Sequence, residues 1–387
     1  MEGNTGLADK IMKKYNEEEF LQKVLSIPSV NGVDNEQEIA WFLANYLKEC
    51  GVSAVVQEID KTHANVIAML EGKTDEKVVW NGHLDTVPYG KMSEWDTQPS
   101  IPVKKNGCIY ARGASDMKSG LAAMVYVLGR MKQRGHVPRQ TIYFFGTCDE
   151  EKGGIGAVSI VKENWMEDAT FLLIGEPTGL SIGLAQKGCL WLKMKVSGKT
   201  SHGAYPQEGV NAIEYGMNIY EELKEEIQKN SHPLLGEQTI QVTMLHGGIV
   251  PNMTPDEAEI IMDIRTVPGQ AADDIMEMAR SVADNYKVRT KEQLSVKFDI
   301  LNQREAIETE SEQPWVKKIR KELEADGLEA DYTGISYFTD ASILTKDMVG
   351  IPTILFGPGE ADLAHKPNEG VEVKKYLQYI RMLNRIF

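Results

Sequence analysis

At 387 residues the chain is long enough for two domains, and 42% hydrophobic with 26% charged residues is the balance of an ordinary globular protein. A net charge of −15 argues against nucleic acid or an anionic membrane as partner, since both call for basic patches, and no apolar run is long enough to span a bilayer. The four cysteines, Cys50, Cys108, Cys148 and Cys189, lack paired spacing and predict neither a disulfide framework nor a cysteine-rich zinc site.

The opening Met1-Glu2-Gly3-Asn4 carries no basic n-region and no apolar h-region, so the expectation is a cytoplasmic protein without a secretory signal. From Glu17 to Gly51 apolar residues recur at helical spacing, first Phe20, Leu21, Val24 and Leu25, then Ile39, Ala40, Phe42, Leu43, Tyr46 and Leu47. Val52 to Val56 and His63 to Leu70 read as strands. They lead to the run Val78-Val79-Trp80-Asn81-Gly82, which ends in His83-Leu84-Asp85. Lys104-Lys105-Asn106-Gly107 and Ile109-Tyr110-Ala111 suggest a small hairpin. Asp116 then opens a helix whose apolar face is Leu121, Ala122, Met124, Val125, Val127 and Leu128.

Three further strand runs end in polar residues. Thr141 to Phe145 leads to Asp149-Glu150-Glu151, Phe171 to Ile174 leads to Gly175-Glu176-Pro177, and Thr353 to Phe356 leads to Gly357-Pro358-Gly359 and then His365. Strands alternating with helices predict an α/β fold, a mostly parallel sheet with helices on both faces. Between Lys187 and Leu301 the rhythm changes. Strands at Leu190–Val196, Thr239–Leu245, Ala258–Arg265 and Leu294–Ile300, with helices at Ala212–Ile227 and Ala271–Tyr286, give the β-α-β-β-α-β order of a ferredoxin-like unit. The expected organisation is a first domain formed by residues 1–186 and 302–387, interrupted by an inserted lid at 187–301. The return passes through a helix at Trp315–Asp326 and a closing helix after Val373.

In open α/β sheets ligands collect beyond the carboxyl ends of the strands. The polar residues there are His83, Asp85, Asp116, Glu150, Glu151, Glu176 and His365. Each has a plainer reading: Asp116 as a helix cap, Glu150 and Glu151 as a solvated pair, Glu176 as a turn residue, His365 as a loop histidine like His63, His136 and His232. Four strand ends that each carry a ligand type favour a metal site. A mixed imidazole and carboxylate set suits zinc, cobalt or manganese, and two ions about 3.5–4 Å apart can share a carboxylate and activate water. Asp85 then serves to hold the His83 ring. Of the adjacent Glu150 and Glu151, one binds metal while the other takes a proton from the water.

These motifs resemble those of the di-metal deacylases and exopeptidases that include acetylornithine deacetylase, succinyl-diaminopimelate desuccinylase, aminoacylase and glutamate carboxypeptidase. The resemblance rests on five stretches in order: His83-Leu84-Asp85-Thr86-Val87-Pro88, Arg112-Gly113-Ala114-Ser115-Asp116-Met117-Lys118, Asp149-Glu150-Glu151, Gly175-Glu176-Pro177-Thr178 and Ala364-His365-Lys366-Pro367-Asn368-Glu369. It implies that His83 and Glu176 hold one divalent ion, Glu151 and His365 the other, and that Asp116 bridges them, the ions being zinc first, with cobalt or manganese as substitutes. It further implies Glu150 as general base, Asp85 as orienter and a cis peptide after Asp116. In the inserted unit, His202 would stabilise the oxyanion, Asn252 and Arg265 would bind the substrate carboxylate, and the same unit would form a homodimer.

The substrate implied is a small N-acyl amino acid, the alternative being a short peptide cleaved by a dipeptidase or carboxypeptidase of the same family. Two features bear on that choice. The segment Thr333-Gly334-Ile335-Ser336-Tyr337-Phe338-Thr339-Asp340-Ala341-Ser342 lacks the arginine found there in several biosynthetic deacylases. Glu176, where peptidases often have aspartate, leans toward deacylation. A catalytically silent binding protein on this fold would be expected to have lost a ligand or Glu150, and none is lost.

Overall fold

The computed structural model describes residues 15–291, 294–348 and 350–387. The expectation drawn from Met1-Glu2-Gly3-Asn4 lies outside these described residues. Two compact units emerge: the described residues up to Leu184 with Thr309–Thr333 and Thr339–Phe387, and Ala185–Glu308 with Gly334–Phe338.

Strands apolar on both sides build the centre of the first unit. Gln140–Thr147, Thr74–His83, Ala169–Ile174 and Thr353–Leu355 lie side by side in that order, and all are parallel. Side chains alternate between sheet faces, yet Val78, Val79, Trp80 and Asn81 are all buried, as in a parallel sheet covered on both sides. The sheet is mostly parallel, as alternating strands and helices suggest, and its margins are antiparallel. Ser53–Glu58 and Ala64–Leu70 pair antiparallel at one edge, because the short link between them cannot make the crossover that parallel strands need. Ile182–Gln186, a short strand with a glycine that the apolar pattern does not reveal, adds antiparallel to the other side.

On one face, the helices Glu17–Leu25, Gln37–Glu49, Lys118–Gln133, Pro314–Ala325 and Val373–Ile386 bring Phe20, Leu43, Leu121, Ile319 and Tyr376 into one core with Trp80, Phe144 and Phe171. Phe387 stacks on Trp315 with centroids 5.2 Å apart and meets Trp80 edge-on at 4.8 Å. On the opposite face, Asn65 donates to the Gly156 carbonyl at 3.0 Å and so fastens the helix Ile155–Lys162 to the sheet. The helix expected to open at Asp116 opens at Lys118 instead, with Met117 in the cap position and no side-chain cap bond. Asp116 is thereby released for other contacts. Gly120 is required in the helix's first turn, since a Cβ there would lie 2.0 Å from the Gly175 carbonyl oxygen.

In the second unit, Thr239–Gly247, Glu257–Arg265, Cys189–Ser197 and Ser295–Arg304 form an antiparallel sheet in that order. Helices Ala212–Ile227 and Ala272–Thr290 share its core, which is the β-α-β-β-α-β arrangement. The last strand outruns the expected end at Ile300 because a bulge between Ile300 and Asn302 resets its alternation and pairing continues to Arg304. Against the expected divisions after 186 and 301, the compact units divide after Leu184 and after Glu308. Among the described residues no helix is long and apolar enough to cross a membrane.

Candidate metal centre

Parallel pairing brings the carboxyl ends of the central strands to one edge. His83 is the last residue of its strand, Glu150 and Glu151 follow Gln140–Thr147, and Glu176 follows Ala169–Ile174. Asp116 arrives on the loop before Lys118–Gln133, followed by a cis Asp116–Met117 peptide, as the resemblance implies. His365 comes from the segment after Thr353–Leu355.

The Asp116 carboxylate is divided between the two imidazoles. Its Oδ1 is 3.1 Å from His83 Nε2 and its Oδ2 is 3.4 Å from His365 Nε2, while His365 Nε2 also lies 3.0 Å from Glu151 Oε2. Ligand atoms of His83, Asp116 and Glu151 fall within 4.8 Å of one another. Glu150 and Glu176 are near enough for each to feel His83, Glu151 and one another electrostatically, and Asp340, buried at the start of the helix Ala341–Leu344, adds negative charge beside both.

Burial pushes the carboxyls of Glu150 and Glu176 well above the usual range and raises that of Glu151. Burial also opposes ionisation of Asp116, yet its bonds to His365 and His83 hold it below the ordinary value. For His83 burial disfavours the cation, but the carboxylates of Asp116 and Asp85 lift it well above a normal histidine. His365 is lifted to about 10 by its bonds to Asp116 and Glu151. Left to itself, this set of groups shares protons to limit its negative charge. A divalent cation replaces those protons, and the donor set, imidazole nitrogen with carboxylate oxygen, suits zinc, cobalt and manganese. The residues present therefore fit a metal.

The contacts of Asp85 reach beyond His83. The nearer partner of His83 Nδ1 is the Asp85 carbonyl at 2.9 Å, the carboxylate being 3.6 Å away. That carboxylate accepts the backbone N–H groups of Glu150 and Glu151, each at 3.1 Å, and a bond from Asn31 at 2.9 Å. Glu369 plays a matching part for Asp116. It accepts from Arg112 Nη1 at 2.6 Å and from the backbone N–H groups of Gly113, Ser115 and Asp116 at 3.1, 2.8 and 2.9 Å. Sequence reasoning assigned no role to Asn31, Glu369 or Asp340, although Glu369 stands within a quoted motif. His63, by its sequence a loop histidine, is held more firmly than that reading suggests. The ring is largely covered and lies between Asp60, at 2.8 Å, and the buried Glu36, at 3.6 Å.

His202, Asn252 and Arg265 belong to the second unit. His202 and Asn252 sit on adjoining loops, joined by the Gly203 N–H to Asn252 carbonyl bond at 2.8 Å and a backbone bridge from His202 to Met253. Arg265 donates through Nε and Nη2 to the two oxygens of Asp263, at 2.8 and 3.0 Å, and its guanidinium lies 5.6 Å from the Phe338 ring centroid.

Fold and site together define an enzyme of the metal-dependent hydrolase class. The chain belongs to peptidase family M20/M25/M40, whose sequence pattern matches residues 79–387. Over 403 residues it is 27% identical to a protein named "Probable succinyl-diaminopimelate desuccinylase" from Staphylococcus aureus (strain N315), covering 95% of this chain and 97% of that one. An acetylornithine deacetylase of Aliivibrio fischeri (strain MJ11) is also 27% identical, over 372 residues, covering 92% of this chain and 94% of its own. Among solved structures, a tripeptidase from Staphylococcus aureus superposes with a TM-score of 0.76 at 23% identity, covering 96% of this chain and 97% of that one, which speaks to the fold.

Proposed function

We propose that this protein hydrolyses the amide bond of a small N-acyl amino acid, using two divalent metal ions, most naturally zinc. The observation that carries the reading is the division of the Asp116 carboxylate between His83 and His365, beside half-buried Glu151 and buried Glu176. In this reading His83 and Glu176 hold one ion, Glu151 and His365 the other, and Asp116 serves both. When bound, such ions polarise the substrate carbonyl and make water a nucleophile near neutral pH. Glu150 accepts the proton of the attacking water and delivers it to the leaving amine. Asp85 keeps the His83 ring and the Glu150 backbone in register through the bonds described above.

On resemblance, His202 is assigned the oxyanion, and Asn252 and Arg265 the carboxylate of the substrate. Arg265 would exchange its bidentate bonds with Asp263 for similar ones with the substrate. The proposal includes a homodimer through the second unit, supported by the apolar residues Met244, Leu245, Ile249 and Val250, which that unit leaves exposed. It also includes a cytoplasmic setting, with which four free cysteines agree.

The test is release of free amino acid by metal-stripped protein, restored with zinc, cobalt or manganese singly, on panels of N-acyl amino acids and of di- and tripeptides. Rescue on the acylated panel is the expected result. Rescue on peptides alone would replace the deacylase reading with the peptidase one.

A further inference from the structure

We propose that Asn31 is a positioning residue for hydrolysis, holding the Asp149–Glu151 turn, and so the base Glu150, in place through Asp85. This rests on the functional reading above. Asn31 lies in the loop between the helices Glu17–Leu25 and Gln37–Glu49, far from any metal-ligand motif, but the backbone carries it to the site. Val30 bridges to Thr86, Asn31 N–H donates to the Thr86 carbonyl at 2.8 Å, and Thr86 N–H donates back to Ser29 at 2.9 Å. The loop is thus stitched to the segment that follows His83.

Its side-chain amide nitrogen has two N–H groups; the nearest acceptors are Asp85 Oδ2 at 2.9 Å and Asp149 Oδ1 at 3.0 Å, with Glu36 Oε1 farther off at 3.5 Å. Both recipients are buried. Without the amide between them, two buried carboxylates would face each other unshielded, which is costly. Each also governs the catalytic turn. Asp85 receives the N–H groups of Glu150 and Glu151. Asp149 stands at φ 61°, a backbone conformation rare outside glycine. It is secured by the Gly153 and Gly154 N–H groups on its carbonyl, by the Ile155 N–H on its carboxylate at 3.3 Å, and by its own N–H on Glu36 Oε2 at 2.9 Å. Glu36, fully buried, closes the arrangement from behind. A serine would offer one donor, an aspartate would add a third charge, and a leucine would offer neither donor.

The experiment compares Asn31→Leu and Asn31→Ser with wild type in three readings: kcat and KM on the best substrate of the panel, zinc affinity by competition with a chelator, and urea unfolding of the metal-stripped protein. Groups that orient metal ligands typically contribute about 10–100-fold in activity or metal affinity. For Asn31→Leu we expect kcat lower by about that factor with KM nearly unchanged, and zinc held less tightly. Asn31→Ser, with one donor left, should fall between it and wild type in both. The urea midpoint should not follow that order. If kcat and zinc affinity in Asn31→Ser and in any folded Asn31→Leu stay within about twofold of wild type, below the range expected of such groups, the proposal is overturned. So it is if loss of stability alone accounts for the change. Should wild type hydrolyse nothing on the panel, the functional reading fails, and zinc affinity still decides whether Asn31 holds the turn.

Discussion

Replacing Glu150 with glutamine is expected to lower kcat by about 10²–10⁴-fold, the range general acid–base groups supply, while metal content and KM stay near wild type. The substitution keeps the size of the side chain and removes only its capacity to accept and return a proton. Glu150 suits that task by position. Its backbone N–H is tied to Asp85, and its half-buried side chain is near enough to His83 and Glu176 to feel both charges. Steady-state kinetics on the loaded enzyme, alongside metal analysis of the same samples, checks the prediction. An active Glu150→Gln enzyme would remove Glu150 from the role of base, and an inactive one that had lost metal would make it a ligand instead.

The second large effect is expected at a pair that never meets substrate. Arg112→Met should destabilise the protein by about 3–5 kcal/mol, the cost of breaking a buried ion pair by removing one partner. Arg112 and Glu369 are 4% and 1% exposed, so solvent cannot replace the lost guanidinium. Arg112 also donates to the Pro88 carbonyl at 3.1 Å and packs over Trp95, and those contacts go with it. Because Glu369 holds the backbone N–H of Asp116, metal affinity should fall as well. Combining Arg112→Met with Glu369→Gln removes the orphaned charge and should recover part of the stability, a coupling that a double-mutant cycle in urea reads directly. Strict additivity of the two changes would show that the pair does not act as a unit.

Most of the fold and most of the candidate metal site are legible in the sequence because they depend on local pattern. An apolar run followed by a histidine or glutamate marks both the strand and its functional end, and this reading reaches His83, Glu150, Glu151 and Glu176. Strand direction is not written in periodicity, so the antiparallel margins were beyond reach. For Asp116 the sequence offers a helix cap beside a metal ligand, and the contacts with His83 and His365 show what its carboxylate meets. The supporting residues are hidden for a related reason. Asn31 and Asp85, or Arg112 and Glu369, are far apart in the chain and are brought together only when it closes. Nothing beside it in sequence distinguishes Asn31 from a turn residue, and Glu369, though it closes the last of the five motifs, carries no local sign that it pairs with Arg112.

In the proposed function Asp116 would help hold two metal ions, one together with His83 and the other together with His365. Equilibrium dialysis of metal-stripped protein against zinc, with metal counted per chain, tests it most directly. Wild type is expected to bind two ions, Glu176→Ala and Glu151→Ala to lose one each, and Asp116→Ala to bind both more weakly. A single ion per chain in wild type, or an Asp116→Ala protein that binds two ions as tightly as wild type, would contradict it.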